Sequence, residues 1–179
     1  TTSDPINGAL YGFATAMAMA ETVEHYDVET PVTLKWPNDV LVGGAKISGI
    51  LIEREAEALI VGTGLNLVSH PADTPYAATH LLAEMTPEAL NDPEPRFTGA
   101  GAAAALLVSN ILKWFEIFEQ SGFGPLREAW LSRAHHLGKT VAVNEQTGTF
   151  LDLAMDGALC LTLPDGTKTL VHAGDVSFG

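Results

Sequence analysis

The chain has 179 residues, 46% of them hydrophobic and 17% charged, with 22 acidic against nine basic residues and a formal net charge of −13. That length suits one domain, or one domain with a small appendage, and the composition supplies apolar side chains enough for a core. The charge argues against nucleic acid as a partner, because binding a phosphate backbone needs clustered Lys and Arg, and the basic residues here are scattered.

Ser3, Asp4 and Pro5 read as a helix cap with Pro close to the first turn. The run LYGFATAMAMAETVEHY then places Leu10, Phe13, Ala14, Met17 and Val23 on one stripe. An amphipathic helix ending before Pro31 is expected, its alanines and Gly12 packed closely on a sheet. The opening TTSDPINGAL lacks the basic segment of a secretory signal, so a cytoplasmic setting is expected.

Residues 31–36 predict a strand, and LKWPNDVLVGGAKISGILIER over 34–54 holds two more around a Gly-Gly turn. The strand signal is a period of two, and Gly43-Gly44 reaches the positive φ of a tight hairpin. The turn is expected to fold Asn38 and Asp39 towards Lys46. A carboxylate, an amide and an ammonium on rigid strands suit a site that handles phosphate or carboxylate. By composition and spacing alone, the same residues also read as a solvated surface pair worth roughly 0–1 kcal/mol. Residues 58–67, ALIVGTGLNL, predict a fourth strand, buried on both faces by its continuous apolar run. Four strands joined by short turns predict an antiparallel or mixed sheet packed with helices, an α+β fold.

Residues 69–75 read as a loop, and 87–90 as a short helical turn in a Pro-rich stretch. Residues 98–120 form a long apolar-striped helix through Leu106, Leu107, Ile111, Trp114, Phe115 and Phe118. Ser109, Asn110 and Lys113 interrupt it, so no membrane span is expected. The segment 122–125, Gly-Phe-Gly-Pro, should stop it, with a second helix over 126–134. From Gly138 short strands alternate with turn words at 146–148, 156–157 and 164–166, predicting about five strands in a small SH3-like barrel. Cys160, the single cysteine, sits in ALCLTL and reads as a small buried hydrophobe. No CxxC or His-x-x-x-His spacing points to zinc.

In order and spacing, KWPND at 35–39, KISGILIE at 46–53 and GTGLN at 62–66 resemble the catalytic core of biotin protein ligases. The tail, Gly-Lys-x-Val through Ala-Gly-Asp-Val, resembles their C-terminal domain. The resemblance implies a ligase-like domain over residues 1–134, of the class II synthetase and biotin/lipoate ligase type, and an SH3-like domain over 135–179. It implies that ATP and biotin, with Mg²⁺, give biotinyl-AMP, and that biotin then passes to a lysine of a biotin carboxyl-carrier domain. By position in the motifs, Lys46 is the cation between carboxylate and α-phosphate, and Asp39 positions or deprotonates the incoming amine. Asn38, Asp39 and Asn66 contact the nucleotide or its metal. Gly49, Leu51 and Lys46 line the biotin pocket, Gly49 because the ureido ring approaches the backbone there. Lys35 is expected to be structural and Trp36 to pack in the core.

The family's Gly-Arg-rich adenylate loop has no counterpart in these residues. The resemblance therefore leaves a piece of a longer ligase, or a ligase-fold module without catalysis, or a lipoate ligase sharing the KISG word. A repressor role is disfavoured by the charge and by the lack of a helix-turn-helix segment. Pairing through sheet edges into a homodimer is a further expectation by analogy with the family.

Overall fold

The computed structural model describes residues 5–56 and 58–178; the expected cap at Ser3 and Asp4 lies outside them. Helix α1 (Pro5–Glu24) is the element on which the rest is laid. It is not the one-striped amphipathic helix its sequence predicts: residues 10–20 are all buried. The reason is a layer on each side, a sheet on one and two helices on the other. Its buried hydroxyls are satisfied locally, Thr15 and Thr22 donating to the carbonyls of Tyr11 and Ala18 at 2.8 and 2.7 Å.

The first sheet runs β1 (Val32–Lys35), β2 (Asp39–Val42), β3 (Ala45–Glu55) and β4 (Ala58–Leu65), antiparallel throughout and in that order. Gly43 and Gly44 both adopt positive φ, 58° and 82°, as the hairpin requires. The Trp36–Pro37 peptide is cis. Val32, Leu34, Val40, Val42 and Ile50 are buried in the core that α1 fills. Strand β4 departs from expectation: Ile60, Thr63 and Gly64 are exposed. It is an edge strand, and among the described residues no layer covers its outer face.

After two single-turn helices, α2 (Leu81–Glu84) and α3 (Pro87–Leu90), comes α4 (Ala100–Ser121). The Thr86 hydroxyl caps α3 by accepting from the Ala89 amide. By length and composition alone α4 is apolar enough to cross a membrane. Here it lies along α1, burying Ala103, Leu107, Trp114 and Phe118. Tyr11 meets Phe115 and Phe118 edge-on, and Lys113 pairs with Glu21 at 2.9 Å. Gly122, at φ 72°, breaks the helix alone, and α5 (Phe123–Ser132) starts at once. Pro125 falls in the first turn of α5, where the missing N–H is no loss.

The C-terminal unit is a five-stranded antiparallel sheet of β5 (Thr140–Val143), β6 (Gln146–Leu153), β7 (Leu159–Thr162), β8 (Lys168–Val171) and β9 (Val176–Ser177). Its order is β8-β7-β6-β5-β9, in the SH3-like manner expected. The first turn is displaced from the predicted word: Asn144 and Glu145 make it at positive φ, and residues 146–148 are already strand. Gly148 is glycine for another reason, since a Cβ there would lie 2.9 Å from the Thr162 carbonyl oxygen of the next strand. Cys160 is only partly buried, and that burial pushes its thiol pKa up.

The two units are tightly joined. Buried Trp36 donates its indole N–H to the Gly157 carbonyl at 3.0 Å, and Arg127 donates to the Leu153 carbonyl at 2.6 Å while pairing with Asp152. The connecting residues 133–135 also bond to the backbone of Leu34.

Candidate functional site

Strand register sets the outer face of the first sheet. Asp39 stands opposite Gly49, and Gly49 opposite Gly64, so a carboxylate and two glycines form one row; Leu51 and Gly62 form the next. A bulge between β2 and β3 brings Lys46 opposite Leu41, one residue out of the regular register. The result is a pair: Lys46 Nζ lies 2.5 Å from Asp39 Oδ1. The contact is electrostatic rather than an aligned hydrogen bond, for the buried Oδ1 has no hydrogen-bond partner among the described residues. Lys35 Nζ stands 3.8 Å from the other oxygen, Oδ2. Asp39 is thus a buried carboxylate between two ammonium groups, one of which leads into a cleft.

Gly49 forms the floor of this pair. A Cβ there would lie 3.3 Å from both Cε and Nζ of Lys46 and 3.7 Å from Asp39 Oδ1. The clearance the glycine provides goes first to the lysine. Gly64 has open space above it, and Leu51 is 57% exposed. Leu51, Gly62 and Gly64 therefore offer a shallow apolar face beside the charged pair.

The two asparagines hold the frame. Asn38 donates its side-chain N–H to the Ile50 carbonyl at 2.8 Å, while its own carbonyl accepts from the Ile50 amide. It locks the register that places Asp39. Asn66 donates to the Thr79 carbonyl at 2.9 Å. Thr79 and Ala77 in turn bond the backbone of Lys46, so a third segment fixes the lysine from the side opposite β2. Each asparagine therefore keeps its side-chain carbonyl oxygen and its second amide N–H for other partners.

Other residues around the pair carry no sequence signal. A cleft of about 490 Å³ is lined by Lys35, Asp39 and Lys46 from the first sheet, Tyr76 from the following loop, and Asp175 and Phe178 from the C-terminal unit. Lys35 spans the junction, donating to Asp175 Oδ1 at 2.7 Å. Tyr76 places its ring 5.1 Å from Lys46 Nζ, and it also lines a neighbouring cleft of about 300 Å³ with Gly49, Gly64 and Asn66. Only the adjacency of Lys35 to the Trp-Pro-Asn-Asp word could have drawn attention to it.

Two histidines pack at the junction beside this cleft. His136 stacks on Phe178 with centroids 4.0 Å apart, His135 meets the same ring edge-on, and His135 Nδ1 is 3.2 Å from the Thr33 hydroxyl. Burial lowers both histidine pKa values from the ordinary 6.5, and the charges of His136, Lys139 and Lys35 lower that of His135 further. A folded-state value below the unfolded one means that the unfolded chain binds more protons. This contribution to stability is therefore complete above 6.5 and is lost as the pH falls through the lowered values. The thermal midpoint is expected to drop as the pH falls below 6.5, less steeply in His136→Asn than in the parent chain. Equal slopes would remove His136 from the account.

Among the described residues no group of three or more His, Cys, Asp or Glu gathers to hold a metal. Asp39, the one carboxylate at the site's centre, already faces two lysines. The residues present do not fit a protein-held Mg²⁺.

Residues 2–66 match the Biotin/lipoate A/B protein ligase family, and residues 136–179 match the Biotin protein ligase C terminal domain. A biotin–[acetyl-CoA-carboxylase] ligase of Paracoccus denitrificans is 33% identical over 160 residues, covering 83% of this chain and 63% of that protein. The bifunctional ligase/repressor of Bacillus subtilis is 28% identical over 178 residues, covering 92% of this chain and 51% of that one. The chain thus spans between about half and just under two-thirds of the length of these relatives. In fold it superposes on the apo biotin protein ligase of Aquifex aeolicus with a TM-score of 0.78 at 24% identity, over 96% of this chain and 75% of that one. The same enzyme in complex with biotin and ATP gives 0.76 at 22% identity, over 94% and 70%. With the motif strands, the paired lysine and carboxylate and the docked C-terminal unit all in place, the chain belongs to the biotin/lipoate A/B protein ligase family and carries the biotin protein ligase C-terminal domain.

Proposed function

We propose that this chain carries the adenylation site of a biotin protein ligase. A biotin carboxylate oxygen attacks the α-phosphorus of ATP, the bond to the β-phosphate oxygen breaks, and biotinyl-AMP and pyrophosphate form. A lysine amine of a biotin carboxyl-carrier domain then attacks the acyl carbon and loses a proton, and AMP leaves. The observation that carries this reading is the Lys46–Asp39 pair over Gly49, beside an open apolar face. The first step brings two anions together, and a fixed ammonium between them stabilises the charge that builds in the transition state. Lys46 is that ammonium, held by Asp39 and by the backbone of residues 77–79.

Asp39 then orients the incoming amine as a hydrogen-bond acceptor. Gly49 and Leu51 form the biotin face, and the side-chain carbonyl oxygens of Asn38 and Asn66 are left for the nucleotide. Mg²⁺ enters as a nucleotide complex, which suits an ion that keeps several waters and takes few protein ligands. We divide the chain into a ligase-like unit, residues 1–134, and an SH3-like unit, residues 135–179, acting in the cytoplasm.

Thermal stability with biotin, with Mg-ATP and with both tests this reading. Ligand that binds only the native state adds about 2.7 kcal/mol at a hundredfold excess over Kd. The largest shift is expected with both together, because the adenylate then occupies both subsites. A shift with lipoate and not biotin reassigns the acyl group. No shift with any ligand leaves a ligase fold without a ligase site.

A further inference from the structure

The loop that follows β4 is closed at its base by two histidines. His70 and His80 bring their Nδ1 atoms to 2.9 Å, with ring centroids 5.1 Å apart and planes inclined by 35°. Two imidazole lone pairs do not approach this closely unaided, so one Nδ1 carries a proton shared with the other. The pair is solvent-facing and takes no part in the adenylation site described above.

Its geometry is that of a bidentate clasp. We propose that His70 and His80 form a binding site for a divalent transition-metal ion of the Zn²⁺, Co²⁺ or Ni²⁺ class. A metal about 2.0–2.1 Å from each nitrogen in tetrahedral geometry sets the two donors about 3.3 Å apart. The pair need open by only a few tenths of an ångström to admit it. Imidazole is the borderline donor these ions favour. No net proton is released, because the ring that carries its hydrogen on Nδ1 moves it to Nε2, as the other ring already has it, and both Nδ1 atoms become donors. Water fills the remaining positions, making this an exchangeable ion rather than a resident one.

The clasp is also preorganised. Just inside it the Leu81 amide donates to the Asn66 carbonyl at 2.9 Å, and the Leu82 amide to the Leu67 carbonyl at 3.1 Å. These bonds hold the backbone flanking both histidines in register before any ion arrives. The loop they enclose, residues 71–79, presents Tyr76 to Lys46 and supplies the backbone bonds that fix Lys46. An ion at the clasp therefore ties both ends of the segment that frames the candidate site. The metal site itself does not depend on the adenylation reading.

Titration of the full chain, free of added histidines, with Co²⁺ followed by visible absorption and with Zn²⁺ by calorimetry tests the site. One ion per chain is expected, with His70→Ala and His80→Ala each weakening binding by more than the roughly 10–100-fold that losing an outer-shell partner costs. His135→Ala is expected to bind as the parent does. Absence of saturable binding, or binding that survives in the double variant His70→Ala/His80→Ala, overturns the proposal. Far-UV circular dichroism of the variants shows whether the fold is kept, and loss of fold in the single variants directs the test to His70→Gln and His80→Gln.

Discussion

Replacing Lys46 with alanine is expected to lower biotin-dependent ATP–pyrophosphate exchange by about 10²–10³-fold, the usual effect of removing one preorganised electrostatic group from an acyl- or phosphoryl-transfer site. The ammonium is held by Asp39 at 2.5 Å and by backbone bonds to Ala77 and Thr79, so its position does not await the substrate. Midpoint shifts with Mg-ATP alone should persist, since one cation is removed and the rest of the cleft is kept. Normal exchange in the variant would show that Lys46 is not the bridging cation. Lys46→Arg is expected to recover little, because a planar guanidinium cannot occupy the ammonium's place over Gly49.

The same substitution bears on stability. A lysine at a strand edge would contribute little, which is the expectation its sequence position supports. Lys46 is instead flanked by β2 on one side and residues 77–79 on the other, and its partner Asp39 is 7% exposed. Lys46→Ala leaves that carboxylate with only Lys35, at 3.8 Å. A loss of about 1–3 kcal/mol is expected, the range for a buried polar group left short of a partner. Chemical denaturation of the variant against the parent measures it.

Gly157→Ala is expected to be strongly destabilising. Gly157 sits at φ 84°, and a Cβ there would come within 2.8 Å of Phe13 Cε2 and 3.2 Å of Leu10 Cδ2. Positive φ in a non-glycine residue costs about 1–3 kcal/mol, and forcing a methyl into a packed interface about 1–3 more. The Gly157 carbonyl also accepts the Trp36 indole N–H, so a shift of this turn loosens the strand leading into Asp39. Gly166→Ala is the matched control, with φ 86° and nothing within 4 Å of the added methyl. It should show the backbone cost alone. Equal midpoint losses in the two variants would mean that the turn does not dock the C-terminal unit.

The motif strands were legible because their signals are local. Alternation from Val40 to Glu53, the double glycine at the turn and the spacing of Asp39 and Lys46 place a carboxylate and an ammonium on adjoining strands whatever the rest of the chain does. The two long helices and the short strands after Gly138 were legible for the same reason, through their periods and turn residues. Where local signals misled, a neighbour in space was responsible. The burial of β4 was overstated because a continuous apolar run does not reveal that its strand ends a sheet. The glycine of 146–148 marks a close strand crossing rather than a turn.

What local order decided, then, is the kind of elements, their sequence and the chemical pair at their centre, since each depends on residues within a few positions of one another. Tertiary structure decided what surrounds that pair. Lys35 meets Asp175 across 140 residues of chain, Trp36 reaches Gly157, and Tyr76, Phe178 and Lys46 converge on one cleft. No period or turn signal encodes these meetings. They follow from burying α1 on both sides and seating the C-terminal sheet against it, where packing and charge select which distant side chains come to lie together.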